Sequence, residues 1–174
     1  MEETQCYESF PAWIVVLCNL VGNSIYAVGA YILSRFGIWV SAAYLLYCLW
    51  MEIGVLRKSC VNCTYYGQVC AFGKGKLCSL LFKQGDPQAF ASTEVSWYKL
   101  LPDLLVSIIP VVGGVVLLAR QFSWLLLGAL AILVVLSSVG NAFVRGSFAC
   151  KYCRQREIGC PAANLFGSTD GVQR

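Results

Sequence analysis

The sequence contains no histidine. Histidine is the commonest metal ligand and the side chain that titrates near neutral pH. Its absence excludes haem held by axial imidazoles, Cys2His2 zinc fingers, and every acid–base or triad mechanism that uses His. The chemistry of this chain therefore depends on other side chains.

Charged residues are also scarce. They make up 13% of the chain, whereas hydrophobic residues make up 58%. A soluble domain carries about 25% charged residues, so this composition indicates a membrane protein. The first ten residues include three Glu, where a signal peptide has a basic region, and we expect no cleavable signal peptide.

Four long apolar runs occupy residues 11–33, 38–56, 100–119 and 122–144, approximately. Each is close to the ~20 residues that a bilayer core requires, and in lipid such runs must be helical. A soluble four-helix bundle would need a charged face on every helix, which these runs lack. The sequence thus predicts an all-α integral membrane protein with four transmembrane helices in two hairpins.

The Lys and Arg residues indicate the orientation of these helices. An even number of spans places both termini and the long middle segment on one side of the membrane. Eleven of the thirteen Lys and Arg residues lie on that side, and only Arg35 and Arg120 lie on the other. Because cytoplasmic loops carry the positive excess, we expect the N and C termini and the cysteine clusters to be cytoplasmic.

Two copies of the pattern C-x2-C-x6-C follow apolar runs. The first claw contains Cys60, Cys63 and Cys70, and the second claw contains Cys150, Cys153 and Cys160. The cytosol keeps thiols reduced, which leaves metal sites, redox-active thiols or inert cysteines. Inert cysteine does not explain two identical triads, although it suits Cys18 and Cys48 inside the first two spans.

A hairpin followed by a claw occurs twice, which indicates an internal repeat. We assign residues 1–90 to the first repeat, with two spans, a claw and a surface segment, and residues 91–174 to the second. Both halves enter the membrane in the same orientation, so an axis along the membrane normal would relate them.

Each claw offers three ligands to a metal ion. In C-x2-C, two thiolates converge on one ion while backbone N–H groups of the turn point at the sulfurs. Tetrahedral sulfur ligation suits zinc or an iron–sulfur cluster. Cys78 would complete the first site and Cys6 the second, or the two claws would share their sulfurs.

The second claw resembles half of the fungal Zn2Cys6 binuclear cluster, in which shared thiolates bind two zinc ions and basic residues follow the second Cys. The resemblance covers eleven residues per claw. Here two spans separate the halves, and the first claw lacks the basic residues. The resemblance therefore implies metal binding and not nucleic-acid recognition. Cys160-Pro161 is similar to the Cys-Pro that closes ferredoxin-type motifs, with a different spacing.

Several polar residues interrupt the spans. Glu52 lies about 7 Å inside the cytoplasmic end of the second span, where an ionised carboxylate costs about 1–3 kcal/mol. A polar cavity under the claws would be lined by Asn19, Asn23, Tyr44, Cys48, Glu52, Asp103 and Asn141. Alternatively, the polar groups join helices through hydrogen bonds, and Asp103 caps a helix after Pro102.

These observations predict metal-binding claws, with zinc favoured, that pin two repeats over a cavity serving transport or membrane-embedded catalysis. One alternative is an iron–sulfur or thiol redox protein that exchanges electrons with a quinone. Another is capture and transport of a soft metal. The expected partner is the lipid bilayer, and a homodimer suits four spans because a transport path between so few helices would be narrow. The sequence specifies no small-molecule partner.

Overall fold

The structure is a computed structural model that describes residues 6–87 and 97–160, and in this part of the chain it contains helices and no strands. Three long helices are α1 (Ala12–Ser34), α2 (Ile38–Lys58) and α4 (Trp97–Arg120), and the short α3 is Lys74–Leu81. The fourth long helix, Trp124–Cys150, comprises α5 (Trp124–Val135), α6 (Asn141–Val144) and π-helical stretches at Leu136–Gly140 and Arg145–Cys150. Next comes α7 (Gln155–Ile158). The expected all-helical class is confirmed.

Four helices are long and apolar enough to cross a membrane. They cover Ala12–Ser34, Ile38–Asn62, Leu100–Arg120 and Trp124–Cys150, close to the four apolar runs of the sequence. Their outer faces carry large apolar side chains, among them Trp39 and Leu46, which are 85% and 66% exposed. Water-soluble monomers rarely expose such extended apolar surface.

The described residues divide into two compact units. The cysteine unit comprises Met1–Asn19, Gly54–Val95 and Ala142–Arg174, and it contains both claws, α3 and α7. The helical unit comprises Leu20–Ile53 and Ser96–Asn141. Each unit contains residues from both predicted repeats.

The helical unit packs around two apolar clusters. In the first, Ile25 and Ile32 of α1 contact Leu126 and Leu133 of α5. The second gathers residues of α1, α2 and α4, namely Leu33, Tyr44, Cys48 and Val106. Ile32 and Leu133 are completely buried, so these clusters fix how the helices of this unit pack.

A proline shapes one of these contacts. Pro110 lies inside α4 and has no N–H, so the carbonyl of Val106, four residues earlier, lacks its helical donor. The Tyr44 hydroxyl donates a hydrogen bond to this carbonyl at 2.9 Å. Gly29 makes room for the ring, because a Cβ there would lie 2.5 Å from the Tyr44 oxygen. Tyr44 therefore joins α2 to the bend-prone part of α4.

Candidate functional site

The two claws share a local fold. The Cys63 N–H donates to the Cys60 carbonyl at 3.3 Å, and the Cys153 N–H donates to the Cys150 carbonyl, also at 3.3 Å. The next turn closes in the same way, because the N–H of Tyr66 bonds the Cys63 carbonyl and the N–H of Arg156 bonds that of Cys153. The shared sequence spacing thus corresponds to a shared backbone turn.

Backbone N–H groups point at the sulfurs, as expected for a C-x2-C turn. The N–H two residues after the second Cys bonds its sulfur in each claw, Tyr65 to Cys63 and Gln155 to Cys153. The Gly75 N–H also donates to Cys70 Sγ, at 3.4 Å. Such bonds favour a thiolate over a thiol, because the N–H dipole stabilises negative charge.

The claws hold each other through a reciprocal pair of contacts. The Tyr65 hydroxyl accepts a hydrogen bond from the Arg154 N–H at 3.1 Å. Gln155 Oε1 accepts bonds from the Thr64 N–H at 2.9 Å and the Thr64 hydroxyl at 3.0 Å. Tyr65 and Gln155 occupy equivalent positions, two residues after the second Cys, and they are 2% and 1% exposed. Each claw thus binds the peptide N–H that follows the second Cys of the other.

The N-terminal segment bridges the two claws. The Tyr7 N–H donates to the Tyr152 carbonyl at 3.1 Å, and the Phe10 N–H donates to the Val69 carbonyl at 2.9 Å. The Tyr65 hydroxyl in turn donates to the Tyr7 carbonyl. One short segment, residues 7–10, is therefore hydrogen-bonded to both claws.

The six claw cysteines and both candidate extra ligands lie in this unit. Cys60 is within electrostatic range of Cys63, Cys70 and Cys78, and Cys150 is within range of Cys160. Cys63 interacts with Cys160, and Cys153 with Cys63. The thiols of each claw thus interact with one another, and Cys63 also interacts with thiols of the second claw.

The two extra cysteines have different surroundings. Cys78 is fully buried, interacts with Cys70, and donates to the Leu56 carbonyl at 3.5 Å. Cys6 forms a hydrogen bond with Glu157 of the second claw. Cys78 therefore lies near a thiol of the first claw, and Cys6 lies near residues of the second.

Burial controls the protonation of these thiols. It raises the pKa of Cys153 to about 12 and also raises the pKa of Cys63, although the N–H bonds to both sulfurs oppose it. Burial likewise raises the pKa of Cys6 and Cys78. Reactive cysteines have lowered pKa values, so at neutral pH these thiols are protonated and poor nucleophiles.

Within residues 6–87 and 97–160, no three Cys, Asp or Glu side chains are arranged so that they could hold a metal ion. The thiols are neighbours in one unit without forming a ligand shell.

The polar residues predicted to line a cavity have several environments. Asn19 Nδ2 donates to the Val15 carbonyl at 2.7 Å and to the Phe72 carbonyl at 3.2 Å, within the cysteine unit. In the helical unit the Tyr26 hydroxyl donates to Glu52 Oε1 at 2.6 Å. Cys48 packs beside Tyr44.

The other three predicted cavity residues also lie in the helical unit. Asn23 and Asp103 are exposed, and Asn141 is half-buried. Asp103 interacts with Tyr47. Glu52 is thus hydrogen-bonded to Tyr26, and Cys48 packs against Tyr44. Asn19 instead connects α1 to a loop through a hydrogen bond.

Sequence reasoning missed the residues that join the claws. Tyr65 and Gln155 carry one available signal, their equivalent positions in the repeated pattern. Gly75 was missed as well, and a Cβ at Gly75 would lie 2.1 Å from the Tyr65 carbonyl. This glycine lets α3 pack directly against the first claw.

Known protein families, curated proteins and solved structures give no match to this chain.

Proposed function

We propose that the cysteine unit is a metal-binding unit, with zinc favoured, that fastens together the two halves of an integral membrane protein. Cys60, Cys63, Cys70 and Cys78 would hold one ion, and Cys150, Cys153, Cys160 and Cys6 a second. The observation that carries this proposal is the reciprocal bonding of Tyr65 and Gln155, which brings two Cys triads into one compact unit.

The donor set suits this assignment. Thiolate sulfur is the ligand that zinc and iron–sulfur clusters accept most readily, and the N–H bonds to Cys63 and Cys153 are those that stabilise a ligand thiolate. Rotation about Cα–Cβ moves a sulfur between staggered positions, and we propose that such rotations bring the thiols into a ligand shell. A bound ion would supply structural cross-linking and would displace the thiol protons.

The membrane orientation is part of the proposal. With both termini and the claws cytoplasmic, the basic side chains of the cysteine unit would face anionic headgroups. The exposed leucines of α3, Leu77, Leu80 and Leu81, would rest on the same surface.

For the helices themselves we propose transport or membrane-embedded catalysis. The supporting observation is the hydrogen bond between Tyr26 and Glu52. An ionisable side chain inside a span costs free energy, and in membrane proteins such residues commonly mark a functional site.

Metal analysis of protein purified without oxygen tests the metal proposal. We expect about two zinc ions per chain, four thiols for each, and no visible absorbance. Iron with acid-labile sulfide and broad visible absorbance would replace zinc with a cluster and favour electron transfer. Protein without metal, with its thiols freely titratable after denaturation, would refute metal binding.

A matched pair of variants sharpens the test. Cys63→Ser should lower the metal content and expose the cysteine unit to protease, because Cys63 interacts with thiols of both claws. Cys48→Ser changes a buried thiol of the helical unit and should leave the metal content unchanged. Equal metal content in the two variants would remove Cys63 from the ligand set.

A further inference from the structure

Asn23 occupies the middle of α1. Eleven residues precede it and eleven follow it in the helix Ala12–Ser34, so it lies roughly 16 Å from either end at 1.5 Å per residue. Its side chain is exposed, and among the residues that the structure describes it makes no hydrogen bond. If α1 spans a bilayer, this amide faces hydrocarbon, where nothing accepts or donates a hydrogen bond.

A groove begins one turn further along the same face of α1. It encloses about 440 Å³ and is lined by apolar and small residues of two helices: Ala27, Val28 and Tyr31 of α1 and Leu125, Gly128 and Ile132 of α5. A Cβ at Gly128 would meet nothing within 4 Å, so the backbone of α5 is open to a close neighbour. Lipid chains fill such a groove, but they leave the Asn23 amide unpaired.

We propose that the face of α1 and α5 formed by Asn23 and this groove is the interface with a second copy of the chain. The inference rests on the proposed membrane insertion. Two copies inserted in the same orientation are related by a two-fold axis along the membrane normal, and the contact is then self-complementary. A residue facing that axis meets its own counterpart at the same depth.

Asn suits this position because its amide both donates and accepts. Asn23 of one copy therefore pairs with Asn23 of the other, and each satisfies the polar group that the bilayer leaves unpaired. Interhelical amide bonds and small residues at the contact are the usual sources of association between membrane helices. The groove beside Gly128 supplies the close approach, and Asn23 supplies the specificity.

The test counts copies of the full chain in lipid vesicles. Protein carrying one C-terminal fluorophore is reconstituted over a range of protein-to-lipid ratios, and photobleaching steps are counted. Wild type should show two steps at high density and one step at high dilution. Asn23→Leu should weaken the dimer about three- to fifteenfold.

Gly128→Leu should also weaken the dimer, because the larger side chain fills the groove, while its Cβ meets nothing within 4 Å in its own protomer. Two matched controls change equivalent residues elsewhere. Asn141→Leu replaces a half-buried span amide, and Gly54→Leu replaces another glycine whose Cβ would meet nothing within 4 Å. Both controls should dimerise like wild type.

Three results would overturn the inference. Wild type would show one step at every density, or Asn23→Leu and Gly128→Leu would dimerise as wild type does. A lipid or quinone that copurifies with monomeric wild type in an amount equal to the protein, and is lost from Gly128→Leu, would assign the groove to that molecule instead. Metal content measured on the same samples separates the two proposals, since a monomer with bound metal contradicts only the dimer.

Discussion

Tyr65 and Gln155 are buried polar side chains whose hydrogen bonds run between the claws. A buried hydrogen-bonding group that loses its partner destabilises a protein by about 1–3 kcal/mol. The Tyr65 hydroxyl has two partners, the Tyr7 carbonyl and the Arg154 N–H. It therefore connects the N-terminal segment, the first claw and the second claw through one oxygen atom.

Tyr65→Phe should destabilise the cysteine unit by about 1–3 kcal/mol, because both partners of the hydroxyl lose their bond. The measurement is hydrogen exchange at the Arg154 amide in detergent-solubilised protein, where protection should fall. Tyr66→Phe is the control, because the Tyr66 hydroxyl donates a hydrogen bond to the Phe82 carbonyl at 2.6 Å and not to the second claw. Similar loss of protection at Arg154 in both variants would show that the cross-claw bond is not special.

At the scale of single elements, α4 depends on a tyrosine of α2. Pro110 removes the donor for the Val106 carbonyl, and Tyr44 replaces it. In hydrocarbon an unpaired carbonyl is costly, and membrane helices tolerate proline where a neighbouring side chain satisfies the freed group.

Tyr44→Phe should lower the unfolding free energy by about 1–2 kcal/mol in the wild-type background, because the Val106 carbonyl becomes unpaired. In a Pro110→Ala background the restored N–H bonds that carbonyl, so the same substitution should cost much less. Denaturant unfolding in mixed micelles of the four proteins gives the coupling energy. Additive effects would mean that Tyr44 does not compensate for the proline.

The sequence predicted three of the four long helices to within three residues at each end, because apolar runs of bilayer length carry a strong signal. The fourth helix ends six residues beyond its predicted end. The turn of each claw also followed from the Cys spacing. The contacts of Tyr65 and Gln155 did not, since their cross-claw partners lie 89 and 91 residues away. Asn19 and Asn23 were both predicted to line the polar cavity, but only the fold shows that Asn19 bonds a loop carbonyl while Asn23 is exposed.

At the scale of the whole molecule, the four long apolar helices predict that the protein is inserted in a membrane. Full-length protein should remain in the membrane pellet after an alkaline carbonate wash, because each span buries about 20 apolar residues in lipid. In oriented vesicles, protease should remove a C-terminal tag only from inside-out vesicles. Release by the wash would contradict insertion, and cleavage in right-side-out vesicles would reverse the orientation.

The backbone bond between Tyr7 and Tyr152 has a consequence for the order of events in the cell. The two residues are 145 positions apart, so a ribosome adding 5–20 residues per second reaches the second roughly 7–29 s after the first. During that interval the N-terminal segment lacks its hydrogen-bond partner Tyr152, and the first claw lacks its partners Arg154 and Gln155. Closure of the cysteine unit therefore follows the translation of all four apolar helices.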